Sequence, residues 1–592
     1  MSKEETEQPN VLMILVDQWN YRCFGYRDHP VVRTPNLDRL QTESADFTRA
    51  YAQNAFCLPS RVSCLTGQYL HTHREYGFDG LLEEGVPCLP AFFREHGYET
   101  CHVGKAHVNP LMDQLEFETF IPTLPEDICF ATDIERNYQA YCRRRGLPYP
   151  NDQVHGGDSL PRAPGAPEEA RGMIQVGGVS AIPAEHSIER YTSRRALEFI
   201  DGVGERPFFL HVSFDRPHGP LTPSPEFADL YDPDDIPLPD SYNEAELLRL
   251  PDHIRRAAEN SPSGLAVAGP EAMRRGLALY YALMGHIDHE IGRIIERLRE
   301  AGVYENTAIV FCADHGDMAG QKGLMNKYSN TIFHDDIIRV PLLIKYPDGR
   351  SGRVERCAEL VDVFPTLAGA CNLDASDLDL EGDDLRETRR GSAADGGWGE
   401  AFCESYGTKT IVRNGHKLIY YVASEEGELY DLQNDPDERW NLYQDEERRE
   451  QRIEMKLAIV RKLSPEVSEA RQKFIRSLFD NERTRQIGAM DKLHKWDKAI
   501  SDGGGFWMVS RGEFRLFYLP FDEDLRFERM KPERAVPDRS AGWVACEAPE
   551  RMEGMIDELL DYLSTKIRPI SLMSGTREDY DNLLLPRGPG LS

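Results

Sequence analysis

The chain has 592 residues, 40% hydrophobic and 29% charged, which is the balance of a globular protein long enough for more than one domain. Its formal charge of −31 argues against nucleic acid as a partner and weighs against long polyanionic substrates. The polar, acidic first residues, the shortness of the apolar run Val11–Val16, the absence of Asn-x-Ser/Thr and twelve scattered cysteines without Cys-x-x-Cys spacing lead us to expect reduced thiols, no membrane partner and a cytoplasmic location.

In chain order, residues 10–17 (Asn-Val-Leu-Met-Ile-Leu-Val-Asp) predict a buried strand that ends in an acid, because a near-continuous apolar run suits a parallel strand covered on both faces. Residues 57–67 predict a short helix, with Pro59 in its first turn and Gly67 as its stop. Cys57 then sits at the helix N-terminus, where backbone N–H groups and the dipole favour negative charge. Arg61, four residues on, lies on the same face and adds a fixed cation. Residues 121–183 are rich in Pro and Gly and read as a long excursion that shapes a substrate pocket.

Helical spacing returns at 193–200 and, over a longer span, at 271–301, where Tyr280, Leu283, Met284, Ile287, Ile291 and Ile294 share a face. Phe208–Phe214 and Thr307–Asp314 repeat the design of an apolar strand followed by polar residues. Strands alternating with helices predict an α/β sheet with its site at the carboxyl edge. The Asp- and Gly-rich stretch 372–398 reads as a link to short antiparallel strands at 410–414, 417–422 and 427–432, with a helix over 441–475. The expected division is 1–390 as the catalytic α/β domain, 391–480 as a smaller subdomain, and 481–592 as an extension. The extension's aromatic residues (Phe506, Trp507, Phe514, Phe517, Tyr518) argue for order and make it a candidate contact in a homo-oligomer.

The run Cys57-Leu58-Pro59-Ser60-Arg61, continued by Val62-Ser63-Cys64-Leu65-Thr66-Gly67, resembles the sulfatase signature. Further segments match the family in order: Gly104-Lys105-Ala106-His107, then Phe214-Asp215-Arg216-Pro217-His218-Gly219-Pro220, then Asp314-His315, then Lys327 ahead of Arg339-Val340-Pro341. Taken alone, an Asp-His pair after a strand reads as a turn feature, and a lone Lys as a solvated surface residue. Their order behind the signature is what assigns them a role.

The resemblance implies an alkaline-phosphatase-like fold: a large, mainly parallel sheet flanked by helices, with a smaller C-terminal α+β subdomain. It implies that Cys57 is converted to formylglycine by a separate maturation enzyme, and that one hydroxyl of the hydrated aldehyde attacks the sulfur of a small sulfate ester. It also implies a divalent metal held by Asp17, Gln18, Asp314, His315 and position 57. Calcium is the first expectation, with manganese or magnesium as alternatives. Gln18 and His315 stand where many family members carry an acid and an Asn, and this pairing is similar to the branch containing choline sulfatases and phosphonate monoester hydrolases.

By the same match, Arg61 and Lys105 hold the diol and substrate oxygens, and His107 is the base that releases sulfate. His218 and Lys327 serve the leaving oxygen. His71, His73 and His334 are weaker candidates near the pocket. The expected reaction is hydrolysis of a sulfate monoester, with phosphonate monoester or phosphodiester hydrolysis on the same scaffold as the alternative. A non-catalytic glycan-binding relative fits less well, since a binding module has no need of a nucleophile.

Overall fold

The computed structural model describes residues 8–76, 85–107, 116–123, 137–147, 178–255, 269–327, 332–386, 398–405, 407–422 and 426–463, together with four strands between 507 and 545. The chain divides into two compact units. One comprises Met1–Tyr69 with Glu83–Gly399, and the other Leu70–Leu82 with Glu400–Ser592.

The first unit is built on a nine-stranded mixed sheet. Its strands are β1 (Asn10–Asp17), β2 (Ala45–Tyr51), β3 (Glu99–Gly104), β4 (Thr119–Pro122), β5 (Phe208–Pro217), β6 (Thr307–Ala313), β7 (Arg339–Val340), β8 (Leu342–Lys345) and β9 (Gly352–Glu359). They run in the order β4-β3-β5-β1-β6-β8-β2-β7, and β9 pairs with β2. Strands β4, β3, β5, β1 and β6 are parallel. Every residue of β1 is buried, as its unbroken apolar run requires.

Parallel alignment brings the C-terminal ends of β3, β5, β1 and β6 to one sheet edge. Those ends lead into Lys105, His218, Asp17 and Asp314, respectively. The expected helices are α1 (Cys57–Thr66), α2 (Ile188–Gly202) and α3 (Pro270–Glu300). Helix α2 starts at Ser187, whose side chain accepts from the Arg190 N–H. It buries Ile188, Tyr191, Ala196 and Ile200. Helix α3 buries Tyr280, Leu283, Met284, Ile287, Ile291 and Ile294, and α2 and α3 pack on each other and on β5.

Two expectations change. The excursion at 121–183 contains a helix at Tyr138–Arg145, capped by the Asn137 side chain at one end and closed by Gly146 at φ 64° at the other. Its buried Tyr138, Tyr141 and Cys142 supply an apolar face that the Pro and Gly content obscured. Residues 124–136 and 148–177 of that excursion lie outside the described residues. Of the stretch expected as a link at 372–398, residues 372–386 are tied into the first unit: Glu381 N–H donates to Gly67 O at 2.8 Å, and Asp383 N–H to Asp362 Oδ1 at 2.7 Å, while residues 387–397 lie outside the described residues.

The second unit contains a four-stranded antiparallel sheet of β10 (Glu400–Glu404), β11 (Thr408–Arg413), β12 (His416–Tyr421) and β13 (Gly427–Asp431) in sequential order. A helix, α4, follows at Arg449–Leu463, and residues 464–475 of the expected helix lie outside the described residues. A second antiparallel sheet is formed by strands at Trp507–Arg511, Phe514–Leu519, Asp524–Arg529 and Val544–Ala545. Among the described residues, no helix is long and apolar enough to cross a membrane.

Candidate active site

Strand β1 ends by delivering Asp17, and the next residue, Gln18, takes a left-handed conformation at φ 63°. That turn lets the Gln18 N–H donate to Asp314 Oδ1 at 3.1 Å, and the adjacent His315 N–H donates to the same oxygen at 2.8 Å. The ends of β1 and β6 are thus laced together through one carboxylate. Asp17, Asp314 and His315 are buried, with candidate ligand atoms all within 4.8 Å of one another.

Helix α1 places Cys57 in its first turn and stops at Gly67, whose φ is 68°. A side chain there would also crowd Leu380 Cδ2 at 3.0 Å and Phe364 Cβ at 3.3 Å, so backbone conformation and close packing both favour glycine. Ser60 Oγ donates to Asp314 O at 2.6 Å and pins the helix to the end of β6.

Arg61 is 1% exposed and its guanidinium is fully engaged. Its Nε donates to Asp314 Oδ2 at 2.7 Å, Nη2 faces Asp17 Oδ2 at 3.4 Å, and Nη1 donates to Ser213 Oγ at 2.7 Å and Lys105 O at 3.0 Å. Burial works against its charge, but Asp314 and Asp17 outweigh this and push its pKa up. The fixed cation expected on the Cys57 face is therefore committed to holding both carboxylates.

Lys105 Nζ forms an ion pair with Asp17 Oδ2. Lys327 Nζ lies 3.8 Å from Cys57 Sγ and 2.7 Å from His315 Nε2. Burial alone would raise the Cys57 thiol, but Lys327 and Lys105 hold it below its ordinary value of 9.0. Burial likewise works against the Asp17 carboxylate, while Lys105, His218, Arg61 and Lys327 bring it well below the ordinary value.

His218 Nδ1 donates to Gly219 O at 2.8 Å, which leaves the lone pair on Nε2. Burial holds His218 well below its ordinary value, with Lys327 and Lys105 reinforcing the effect and Asp17 opposing it. His107 is buried two residues beyond Lys105, at φ 48°. The fold thus gathers Asp17, Gln18, Cys57, Arg61, Lys105, His218, Asp314, His315 and Lys327 from segments hundreds of residues apart.

The donor set fits a divalent cation. Asp17 Oδ1 and Gln18 Oε1 are buried and accept no hydrogen bond. His315 Nδ1 donates to Gly316 O at 2.9 Å, so the Nε2 lone pair faces Asp17 Oδ1 at 3.5 Å and Asp314 Oδ1 at 3.7 Å. Two carboxylates and an imidazole nitrogen converge there, and the buried Gln18 oxygen is a further candidate donor.

Supporting residues escaped the sequence reading. Asp317 Oδ2 accepts from Gln18 Nε2 at 2.7 Å, which turns the Gln18 oxygen away from it, and Asp317 Oδ1 accepts from the N–H groups of Ala319 at 2.7 Å and Asn326 at 2.9 Å. It therefore braces both a candidate ligand and the backbone next to Lys327. Ser213 and Tyr280 also contribute: the Tyr280 hydroxyl donates to the strained Gln18 O at 2.6 Å. The compact run Asp314-His315-Gly316-Asp317 was the available signal for Asp317.

The weaker histidines have other partners. His71 belongs to the second unit, where its Nδ1 lies 2.7 Å from Glu404 Oε1. His73, in the same unit, accepts from the Glu75 N–H, and burial pushes it down to about 3. His334 is buried at the start of the turn Asp335–Ile338.

The family model described as Sulfatase matches residues 9–373, and the one described as N-sulphoglucosamine sulphohydrolase, C-terminal, matches residues 320–464. An arylsulfatase of Clostridium perfringens is 29% identical over 477 residues, covering 77% of this chain and 94% of the relative. A choline-sulfatase of Rhizobium meliloti is 28% identical over 449 residues, covering 74% of this chain and 83% of the relative. Among solved structures, the phosphonate monoester hydrolase of Agrobacterium radiobacter superposes with a TM-score of 0.62 at 24% identity, covering 76% of this chain and 95% of that one, which is a likeness of fold.

Proposed function

The chain belongs to the sulfatase family, and on that premise we propose that it hydrolyses a small sulfate monoester to an alcohol and inorganic sulfate, with formylglycine made from Cys57 as the nucleophile. Membership makes it a sulfuric ester hydrolase, as the family's arylsulfatase and choline-sulfatase are. The observation that carries the reading is the position of Cys57. Its sulfur lies at a helix N-terminus, 3.8 Å from the Lys327 ammonium, which itself reaches His315 Nε2 at 2.7 Å.

Conversion of Cys57 replaces C–S and one C–H with C=O. This is a two-electron oxidation, for which a maturation enzyme must supply dioxygen or an equivalent acceptor, and sulfur leaves as sulfide. Once hydrated, the aldehyde supplies one hydroxyl to attack sulfur and a second whose deprotonation expels sulfate, so water never has to attack sulfur. A divalent cation held by Asp17, Gln18, Asp314 and His315 would supply positive charge against the sulfate oxygens and lower the pKa of the attacking hydroxyl.

The chain's own groups do the rest. Arg61 holds Asp17 and Asp314 fixed in place. Lys105 and Lys327 bring positive charge to the oxygens of the transition state. In this reading the Lys327 ammonium gives a proton to the departing oxygen. His218, kept neutral by burial and with Nδ1 committed to Gly219 O, presents Nε2 to the same region. His107 takes the proton whose loss releases sulfate.

The test is mass spectrometry of the tryptic peptide 50–61, paired with turnover of an aryl sulfate by the wild type and by Cys57→Ala. Conversion at position 57, together with loss of turnover in the variant, is expected. Full activity in Cys57→Ala would overturn the mechanism.

A second reading, phosphonate monoester hydrolysis, draws on Gln18 and His315 as donors in place of an acid and an Asn, and on the likeness of fold. Tetrahedral oxyanions of sulfur and phosphorus suit the same cationic pocket. The ratio of kcat/KM on an aryl sulfate to that on an aryl phosphonate monoester separates the two.

A further inference from the structure

The turn that carries His218 follows β5, whose last residue, Pro217, is the register partner of Asp17. His218 therefore stands beside the site. Among the described residues its ring makes a single hydrogen bond, from Nδ1 to Gly219 O at 2.8 Å, inside the same turn. Nδ1 donates there whether or not Nε2 carries a proton. The direction of Nε2 is thus set by the shape of the turn, and whatever fixes the turn fixes the ring.

Arg216 spans that turn. Its side chain is 4% exposed. Nη1 donates to His218 O at 3.2 Å and Nη2 to Thr222 Oγ1 at 3.0 Å, so one planar fork ties His218 to Thr222. The Thr222 N–H donates to Pro220 O at 2.9 Å and tightens the same span. A buried arginine needs a compensating charge, and Glu189, in the first turn of α2, supplies it. Yet Glu189 Oε1 stands 4.0 Å from Arg216 Nε, which makes no hydrogen bond. Glu189 balances the charge across a gap, while the hydrogen bonds of the guanidinium go to the turn.

We infer that Arg216 is a positioning residue for the reaction: through His218 O and Thr222 Oγ1 it fixes the turn that aims His218 Nε2 at the departing oxygen of the ester. This rests on the reading of His218 given above. Arg216 touches no reacting atom, so its effect passes through His218. Aid to the departing oxygen matters most when that oxygen is basic and leaves badly, and least when it is a good leaving group. Loss of Arg216 should therefore slow a poor leaving group more than a good one. A merely structural residue slows both alike.

The experiment uses the full chain co-produced with a maturation enzyme, with conversion at position 57 matched across variants by mass spectrometry. Wild type, Arg216→Lys, Thr222→Val, His218→Ala and the double variant of Arg216→Lys with His218→Ala are assayed for kcat/KM on phenyl sulfate and nitrophenyl sulfate. Arg216→Lys keeps the charge opposite Glu189 but replaces the fork with a point charge. Thr222→Val removes one acceptor and leaves Arg216 in place, so it decides the matter where the lysine variant does not fold.

The expected result is a loss of about 10²-fold on phenyl sulfate in Arg216→Lys, the scale of a group misplaced by an ångström, with a much smaller loss on nitrophenyl sulfate. Thr222→Val should show the same selectivity. In the His218→Ala background, Arg216→Lys should add little, because two residues that act through one group are not additive. Equal losses on the two substrates, no loss, or an undiminished further loss in the His218→Ala background would overturn the role of Arg216. The reading of His218 would survive that outcome if His218→Ala is itself selective. A His218→Ala variant without selectivity would overturn the reading of His218 and this inference with it. Turnover of neither ester by the wild type would overturn the proposed function, and the inference with it.

Discussion

Lys327 Nζ lies 2.7 Å from His315 Nε2, so a lysine ammonium rests on the lone pair that the fold otherwise aims at Asp17 and Asp314. The same Nζ stands 3.8 Å from Cys57 Sγ. One cation thus touches both the candidate nucleophile position and the candidate metal group, and loading the metal must free it to face substrate.

Replacing Lys327 with Met should therefore damage chemistry more than folding. We expect kcat on an aryl sulfate to fall by about 10²–10³, the scale of losing one preorganised transition-state donor. The thermal midpoint should stay near that of the wild type, since an ammonium is exchanged for a side chain of similar length. Steady-state kinetics and a melting curve on the same sample check this, and an unchanged kcat would remove Lys327 from the mechanism.

Arg61 makes the opposite case. Its removal leaves Asp17 and Asp314 buried without their shared partner, which costs about 3–5 kcal/mol. Arg61→Met should shift the denaturant midpoint strongly and lower metal binding with it. Arg61→Lys keeps the charge but cannot make the fork to Asp314, Asp17, Ser213 and Lys105 O, so it should recover only part of the stability. A wild-type midpoint for Arg61→Met would show that Arg61 does not hold the carboxylates together.

Asp317 touches no candidate ligand atom directly, yet it holds Gln18 Nε2 at 2.7 Å. Asp317→Ala should weaken divalent-metal binding by about 10–100-fold, the usual scale for an orienting partner, while secondary structure is retained. Calorimetric titration of the metal-stripped protein reads this directly. Treatment of the wild type with a chelator should abolish turnover, and added divalent metal should restore it.

A buried histidine pair predicts acid sensitivity. His102 Nδ1 lies 3.0 Å from His211 Nδ1 inside the sheet, and burial pushes His102 down to about 3 from an ordinary 6.5. The unfolded chain takes up the proton near the ordinary value, whereas the native state resists until about 3. Stability is therefore intact above that ordinary value and declines as pH falls through the window between the two. At pH 5 the cost from His102 is about 2 kcal/mol. His102→Phe, whose ring suits a site stacked on Phe120, should reduce the drop in thermal midpoint between pH 7 and pH 5. An equal drop in wild type and variant would place the acid sensitivity elsewhere.

Local chemistry made much of the fold legible. The apolar run of β1, the Cys57–Gly67 helix with its glycine stop, and the long face of α3 are each encoded within one element, because side-chain periodicity and backbone preference act over a few residues. The order of the short motifs from Asp17 to Lys327 pointed to the candidate site by another route, the resemblance to the sulfatase family. What stayed hidden was partnership across the chain. Arg61 reads as a cation beside Cys57, but it turns to Asp314, 253 residues away. Helix Tyr138–Arg145 was lost among Pro and Gly because its stability comes from capping and from burying Tyr138 and Tyr141.

By itself, then, the sequence determined which residue types stand at the ends of apolar strands and at the start of one helix, since those positions follow from local pattern. Only the tertiary structure decided which charges meet. The fold commits Arg61 to two carboxylates, rests Lys327 on His315, and makes Asp317 the brace for Gln18. Coulomb and hydrogen-bond energies depend on distance in space and on burial, and neither is written in spacing along the chain.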